Sequence, residues 1–348
     1  MKKLEFGLMT FADAAPETAP GKGNNAHRRI QDLLEEIKLA DQLGIDVFGI
    51  GEHHRPDYAV SSPTTVLGAA AAITKNIKLT SAVTVLSSED PVRVYQQFAT
   101  VDAISGGRAE IMAGRGSFIE SFPLFGFDLN DYDAIFEEKM DLLLKINKPE
   151  KVSWSGNLRA PIHDLGVYPR ALNGEIPVWL AAGGNPASAV RAAKLQLPLM
   201  LAIIGGMPRQ FTPFINLYKK SWLENGHNPE FLQVGINNHM FIGEDGEKAA
   251  DDFFPYYAQM MDRVGRSRGW QPMTREQFEY MRSPEGSLMV GSVEQITEKI
   301  VYEYGLFGFT RFFAQASVGF VPHELTMKSI ELFGKEVIPA VKKRLGIE

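Results

Sequence analysis

Eight times along this chain a short strand-like apolar run is followed by a segment with apolar residues at helical spacing, and this alternation restricts the fold more than any other feature. The strand readings are Leu4 to Phe11, Ile45 to Ile50, Ile77 to Leu86, Arg108 to Ala113, Ile176 to Ala182, Leu197 to Ile204, Val234 to Ile242 and Phe309 to Ala314. The intervening helices carry start and stop signals. Asp90-Pro91 opens one that Gly106-Gly107 ends, Asn185-Pro186 opens another, and Ser292 with Gln295 makes a capping box. Further helices are read over His27 to Leu43, Pro63 to Ile73, Asp131 to Lys145, Phe211 to Glu224 and Pro322 to Leu345. Strict βα alternation implies parallel strands with right-handed crossovers, and eight units is the number that closes a barrel. No Gly-x-Gly-x-x-Gly follows the first strand, as an open dinucleotide-binding sheet would require. We therefore expect a single TIM (β/α)8 barrel domain over residues 1–348, a length such barrels reach with insertions.

Two segments fall outside the alternation. Lys151 to Pro169 reads as short extended excursions on the surface. The polar stretch from Glu244 to Ser287 exceeds an ordinary connection, so residues 244–288 are expected to form a lid insertion or a solvated surface insertion. Phe253, Phe254, Tyr256, Tyr257 and Trp270 supply its apolar material. The helix Pro63 to Ile73 is nearly free of large side chains, which suits close packing either on its own barrel or on a second copy of the chain.

Composition removes several functions. The net charge of -6 and the lack of any Lys/Arg block argue against nucleic acid as a partner. The absence of cysteine excludes disulfides, thiolate metal sites and a cysteine nucleophile. With no signal-peptide pattern and no apolar window of spanning length, a soluble cytoplasmic protein with no membrane association is expected.

In a barrel the residues that follow each strand share one mouth, so the strand tails belong together. The second strand runs into Glu52, His53 and His54, and the fourth into Gly114, Arg115, Gly116 and Ser117. The fifth ends in Gly183, Gly184, Asn185, Pro186, Ala187 and Ser188, and the sixth in Gly205-Gly206. Along an extended chain His53 and His54 point to opposite sides, and Glu52 shares a side with His54. Two histidines and an acid at a strand's carboxyl end suit catalysis, although a lone buried histidine is more often structural. Glycines before an Asn-capped, Pro-led helix expose backbone N–H groups to an anion, which Arg115 would complement, although the same pattern serves as an ordinary turn. A metal centre is not expected. The sixth strand, LPLMLAII, has no histidine, the eighth, FTRFFAQAS, has no carboxylate, and His239 on the seventh is isolated.

On these residues the chain resembles the bacterial luciferase-like flavin-dependent monooxygenases. The motifs are EHH after the second strand, Pro91-Val92-Arg93 after the third, SGGRAEIMAGRGS at the fourth and IPVWLAAGGNPASAVRAA at the fifth. The resemblance implies a TIM barrel with reduced FMN, or in some branches F420, in its mouth. It implies that Arg115, Gly116, Ser117, the Gly183-Gly184 backbone, Asn185 and Ser188 bind the cofactor, chiefly its phosphate. It also implies a non-proline cis bond at Ala82-Val83 that bulges beneath the isoalloxazine. His53 matches the histidine that acts near the flavin C4a position, with Glu52 and His54 beside it. Luciferases carry a reactive cysteine where this chain has Gly114, so light emission is not implied.

The expected activity is oxygenation of a small organic substrate with reduced FMN and O2, the flavin coming from a separate NAD(P)H:flavin reductase, in a homodimer or higher homo-oligomer. The alternatives are an F420-dependent oxidoreductase, a non-catalytic flavin-binding protein and a metal-dependent hydrolase. The substrate is not legible beyond an apolar pocket suggested by Phe11, Phe118 and Phe122.

Overall fold

In the computed structural model, which describes residues 3–14, 26–116, 118–266 and 268–347, the strands close on themselves. In chain order they are β1 (Glu5–Thr10), β2 (Val47–Ile50), β3 (Lys78–Ser81), β4 (Thr84–Val85), β5 (Ala109–Gly114), β6 (Lys151–Trp154), β7 (Ile162–Gly166), β8 (Val178–Ala182), β9 (Leu199–Ala202), β10 (Val234–Ile242), β11 (Met289–Gly291) and β12 (Arg311–Ser317). β1 lies parallel to both β2 and β12, and β10 lies parallel to both β12 and β9. With β3, β5 and β8 between β2 and β9, this is a closed eight-stranded parallel barrel. Its strands are buried almost throughout, as parallel strands covered on the outside by helices must be.

The helix termini follow the side chains that mark them. Asp90 accepts from the Val92 and Arg93 amides, Asn185 from the Ala187 amide, and Ser292 and Gln295 form the reciprocal capping box. At the N-terminal end of the barrel the buried Arg311 guanidinium pairs with Glu5 and Glu110 and lies 4.2 Å over the Trp179 ring, and Lys78 reaches both carboxylates. Such a buried network needs every charge compensated, so this end is a plug.

Four expectations change. The run Ile77 to Leu86 is two strands, because the Ala82–Val83 peptide is cis and interrupts the ladder between β3 and β4. The last barrel strand extends to Ser317, and it begins at a buried arginine that hydropathy alone would place outside. The excursions of Lys151 to Pro169 pair as the antiparallel hairpin β6–β7. The stretch from Glu244 to Ser287 holds helices Gly246–Arg266 and Arg275–Arg282, followed by β11, which extends the sheet beside β10. Its apolar face, with Phe253, Tyr257, Met260 and Phe278, packs on Phe241, Leu288 and Val318 as a second core. Phe253 stacks on Phe241 at 5.0 Å. Pro255 inside the first of these helices hides its periodicity in the sequence.

The helix Pro63–Ile73 turns Val66, Leu67, Ala70 and Ala71 onto the barrel and leaves Thr65, Ala69 and Ala72 exposed. Among the described residues no helix is long and apolar enough to cross a membrane.

Candidate functional site

β2 delivers Glu52, His53 and His54 to the C-terminal mouth, with successive side chains on opposite sides. Glu52 and His54 pair with each other beside His53. The Glu52 carboxylate accepts from the Val85 amide (2.9 Å) and from His54 Nε2 (2.9 Å), while the His54 ring meets Phe125 edge-on at 5.1 Å. This pair braces β4; Glu52 also lines the barrel-mouth cavity, and His54 does not.

His53 faces the cavity. Its ring lies among Tyr58 (4.3 Å), Phe11 (4.5 Å) and Phe118 (5.3 Å), and its Nε2 is buried without a hydrogen-bond partner. Burial, with smaller contributions from His54 and Arg55, pushes its pKa down to about 3. The ring is therefore neutral at working pH, and one nitrogen is available to a ligand.

The cis Ala82–Val83 peptide pushes Val83 into the same cavity. Two glycines make room for that bulge. A Cβ on Gly49 would come within 2.9 Å of the Ala82 Cβ, and one on Gly114 within 2.7 Å of Val83 Cγ2. The glycine at position 114, where luciferases carry cysteine, thus has a packing cause: Val83 occupies the space a side chain would need.

Arg115 stands at the other end of the cavity. It pairs with Asp133, points Nη2 at Ser188 Oγ (3.5 Å) and lies 5.0 Å from the Tyr132 ring. Ser188 is in the first turn of the helix Pro186–Lys194, where Asn185 takes up the Ala187 amide with its side chain and the Ser188 amide with its carbonyl, so the helix offers the cavity its positive dipole end and the Ser188 hydroxyl. A Cβ on Gly183 would meet nothing within 4 Å, and Gly184 takes φ +105°, so the backbone here is open to a ligand. Arg115, Gly116, Gly183, Asn185, Ser188, Ala82, Val83 and His53 line one cavity of about 360 Å3, within the size range of small-ligand sites. Gly184 adjoins it, and Ser117 lies outside the described residues.

Met9, Met112 and Met200 form much of the apolar wall, and Asn237, Tyr132 and Arg268 add polar groups that the sequence reading passed over. Asn237 was accessible in principle, since Gly235, Asn237 and His239 alternate along a strand whose other face packs on helices. Tyr132 and Arg268 belong to excursions whose placement local sequence does not determine. Among the described residues no group of three or more His, Cys, Asp or Glu is arranged to hold a metal ion.

Residues 4–311 match the family model described as luciferase-like monooxygenase. A relative from Sinorhizobium fredii, uncharacterized protein y4vJ, is 25% identical, with 97% of this chain and 99% of that protein covered. Among solved structures, monooxygenase RslO1 from Streptomyces bottropensis superposes with a TM-score of 0.84 at 23% identity, covering 97% of this chain and 99% of that one. The oxygenating constituent of 3,6-diketocamphane monooxygenase from Pseudomonas putida, solved in complex with FMN, gives 0.76 at 20% identity, with 97% and 98% covered. An F420-dependent secondary alcohol dehydrogenase gives 0.76 at 18% identity, with 97% and 99% covered.

Proposed function

Since this chain belongs to the luciferase-like monooxygenase family, we propose that it oxygenates a small organic substrate with reduced FMN and O2. The observation that carries the reading is one cavity lined both by Arg115, Ser188 and Gly183 and by a buried, unpartnered imidazole.

The residues fit a flavin mononucleotide. Arg115, Ser188 and the capped helix N-terminus would hold the phosphate, with the Gly183-Gly184 backbone making room for it. Val83 would support the ring system from below. When bound, reduced flavin supplies the electrons that activate O2. The chain's own contribution is placement and exclusion of water. Neutral His53 offers Nε2 as a hydrogen-bond partner, and the methionine wall with Phe11 keeps the site dry. Glu52, although it lines the cavity, is taken up by His54 and the Val85 amide, so the catalytic group among the three strand-two candidates is His53, whose Nε2 has no partner.

F420 is the second reading, favoured by the likeness to an F420-dependent dehydrogenase. Parallel titrations with FMN and F420 separate the two: tighter F420 binding without substrate-dependent O2 uptake would replace oxygenation by hydride transfer. The sequence carries no Gly-x-Gly-x-x-Gly dinucleotide-binding fingerprint, which suits reduced flavin arriving from a separate NAD(P)H:flavin reductase in the cytoplasm. We assign the excursion over residues 244–288 as the lid of this mouth, since Arg268 from it reaches the cavity. The exposed small-residue face of Pro63–Ile73 is assigned to a homodimer contact.

A further inference from the structure

We propose that Arg263, on the helix Gly246–Arg266 of the excursion, is a positioning residue for His53, acting through the loop that carries Asp57 and Tyr58. The inference rests on the reading of His53 as the group that faces the cofactor.

Arg263 is 13% exposed, and its Nε, Nη1 and Nη2 are buried without a hydrogen-bond partner. Its guanidinium lies 4.5 Å over the Phe320 ring, 3.7 Å from Asp57 Oδ1 and 4.0 Å from Asp13 Oδ1. A buried guanidinium with no close bond is costly unless nearby charge offsets it, and these two carboxylates are what it faces. Asp57 also has Arg55 at 3.0 Å, so Asp13 depends on Arg263 the more. Burial raises the Asp13 pKa to about 7 against the opposing pull of Arg263, Arg29 and the Gly319 amide.

The carboxylates lead directly to His53. The Ala14 amide donates to the Asp57 carbonyl (2.7 Å), the Ala59 amide donates to the Ala12 carbonyl (2.9 Å), and Asp13 bridges Tyr58. The β1 tail and the residue 55–60 loop therefore form one unit. That loop wraps the histidine, because the His53 amide donates to the Val60 carbonyl (3.1 Å) and the Tyr58 ring covers the imidazole at 4.3 Å with a 30° tilt. Arg55 holds the far side of the loop through Asp57 and Glu120. Without Arg263 the helix of the excursion no longer ties Asp13 and Asp57 to it, and only the Arg55 contacts hold the loop. The loop then moves toward water and takes Tyr58 off the imidazole.

The test is NMR of the full chain labelled at its histidines, seven in number, with His53→Gln assigning the His53 ring signals. In the wild type those signals should carry the upfield displacement of a ring stacked on tyrosine and should not titrate between about pH 5 and 8. In Arg263→Gln the displacement should collapse and titration should appear, while the FMN dissociation constant changes by less than about threefold. Arg263→Lys should restore part of the displacement. Asp57→Asn, which removes the anchor from the loop side, should reproduce the collapse and gives the reading should Arg263→Gln fail to fold. His53 signals that remain as in the wild type in a folded Arg263→Gln, or in Asp57→Asn, would overturn the proposal. Loss of FMN binding by the wild type would instead refute the flavin reading, and the NMR comparison does not depend on it.

Discussion

Gly114→Ala adds one carbon atom to the floor of the cavity, and its effect follows from three distances. The new Cβ would lie 2.7 Å from Val83 Cγ2, 2.9 Å from Cγ1 and 3.0 Å from the Val83 Cβ. Rotation about χ1 cannot relieve the last contact, because the Val83 Cβ does not move with χ1, and a β-branched side chain has few alternatives. The Val83 backbone must therefore shift. Overpacking of this kind costs about 1–3 kcal/mol, from which the lower unfolded-state entropy of alanine returns about 0.4–1. With an unfolding entropy of about 2.1 cal/mol/K per residue, the net loss of about 0–2.6 kcal/mol corresponds to a fall in Tm of roughly 0–4 °C. Val83→Ala removes the two methyl groups that the new Cβ meets at 2.7 and 2.9 Å but keeps the Cβ at 3.0 Å, so only part of the cost of Gly114→Ala should disappear in the Val83→Ala background. The assay is a double-mutant cycle by denaturant unfolding, with FMN affinity measured on the same four proteins. A coupling of about 1–2 kcal/mol is expected, together with weaker FMN binding by Gly114→Ala alone. Additive effects would refute the packing account of the glycine.

Other expectations follow from the buried titratable groups and the cradle. Burial holds His53 and His239 neutral down to about pH 3. Below about pH 6.5 the unfolded chain binds protons that the native state refuses, so stability falls on acidification by about 1.4 kcal/mol per pH unit for each ring. His239→Asn should therefore lose about 2 kcal/mol less than the wild type between about pH 6.5 and 5 in urea titrations; an unchanged difference would contradict this. Burial pushes Glu303 up to about 8, with Asn238 and Lys299 opposing. The native state then keeps a proton that the unfolded chain loses near pH 4.5, and stability drops as pH rises from there to 8. Glu303→Gln, which retains the acceptor for Asn238 Nδ2, should remove that drop, and a persisting drop would assign it to another group. Asp133→Asn frees Arg115 from an exposed carboxylate and should tighten FMN binding by a few-fold, about the worth of a surface ion pair; weaker binding would count against the cradle.

The barrel was legible because strand and helix periods alternate without interruption, and because the caps at Asp90, Asn185 and Ser292 mark helix starts unambiguously. The strand tails named most of the cavity for the same reason: a closed barrel brings them to one rim. Sequence failed where structure depends on distant contacts. Pro255 masks a helix whose stability comes from Phe241 and Phe278. The separation of roles among Glu52, His53 and His54 depends on the Val85 amide, 33 residues beyond Glu52. Arg263 reads as an ordinary surface charge on an amphipathic helix until the fold places two buried carboxylates opposite it.

The central claim is that Arg115 and the helix beginning at Pro186 hold the phosphate of a flavin whose ring lies against His53. An anaerobic equilibrium titration with reduced and oxidised FMN, on the wild type and on Arg115→Ala, tests it most directly. A charge-assisted contact to phosphate is worth about 1.5–3 kcal/mol, so the dissociation constant of the variant should rise about 10- to 150-fold, while riboflavin, which lacks the phosphate, should bind both proteins alike. Binding of neither flavin by the wild type, or equal FMN affinity in the two proteins, would contradict the account.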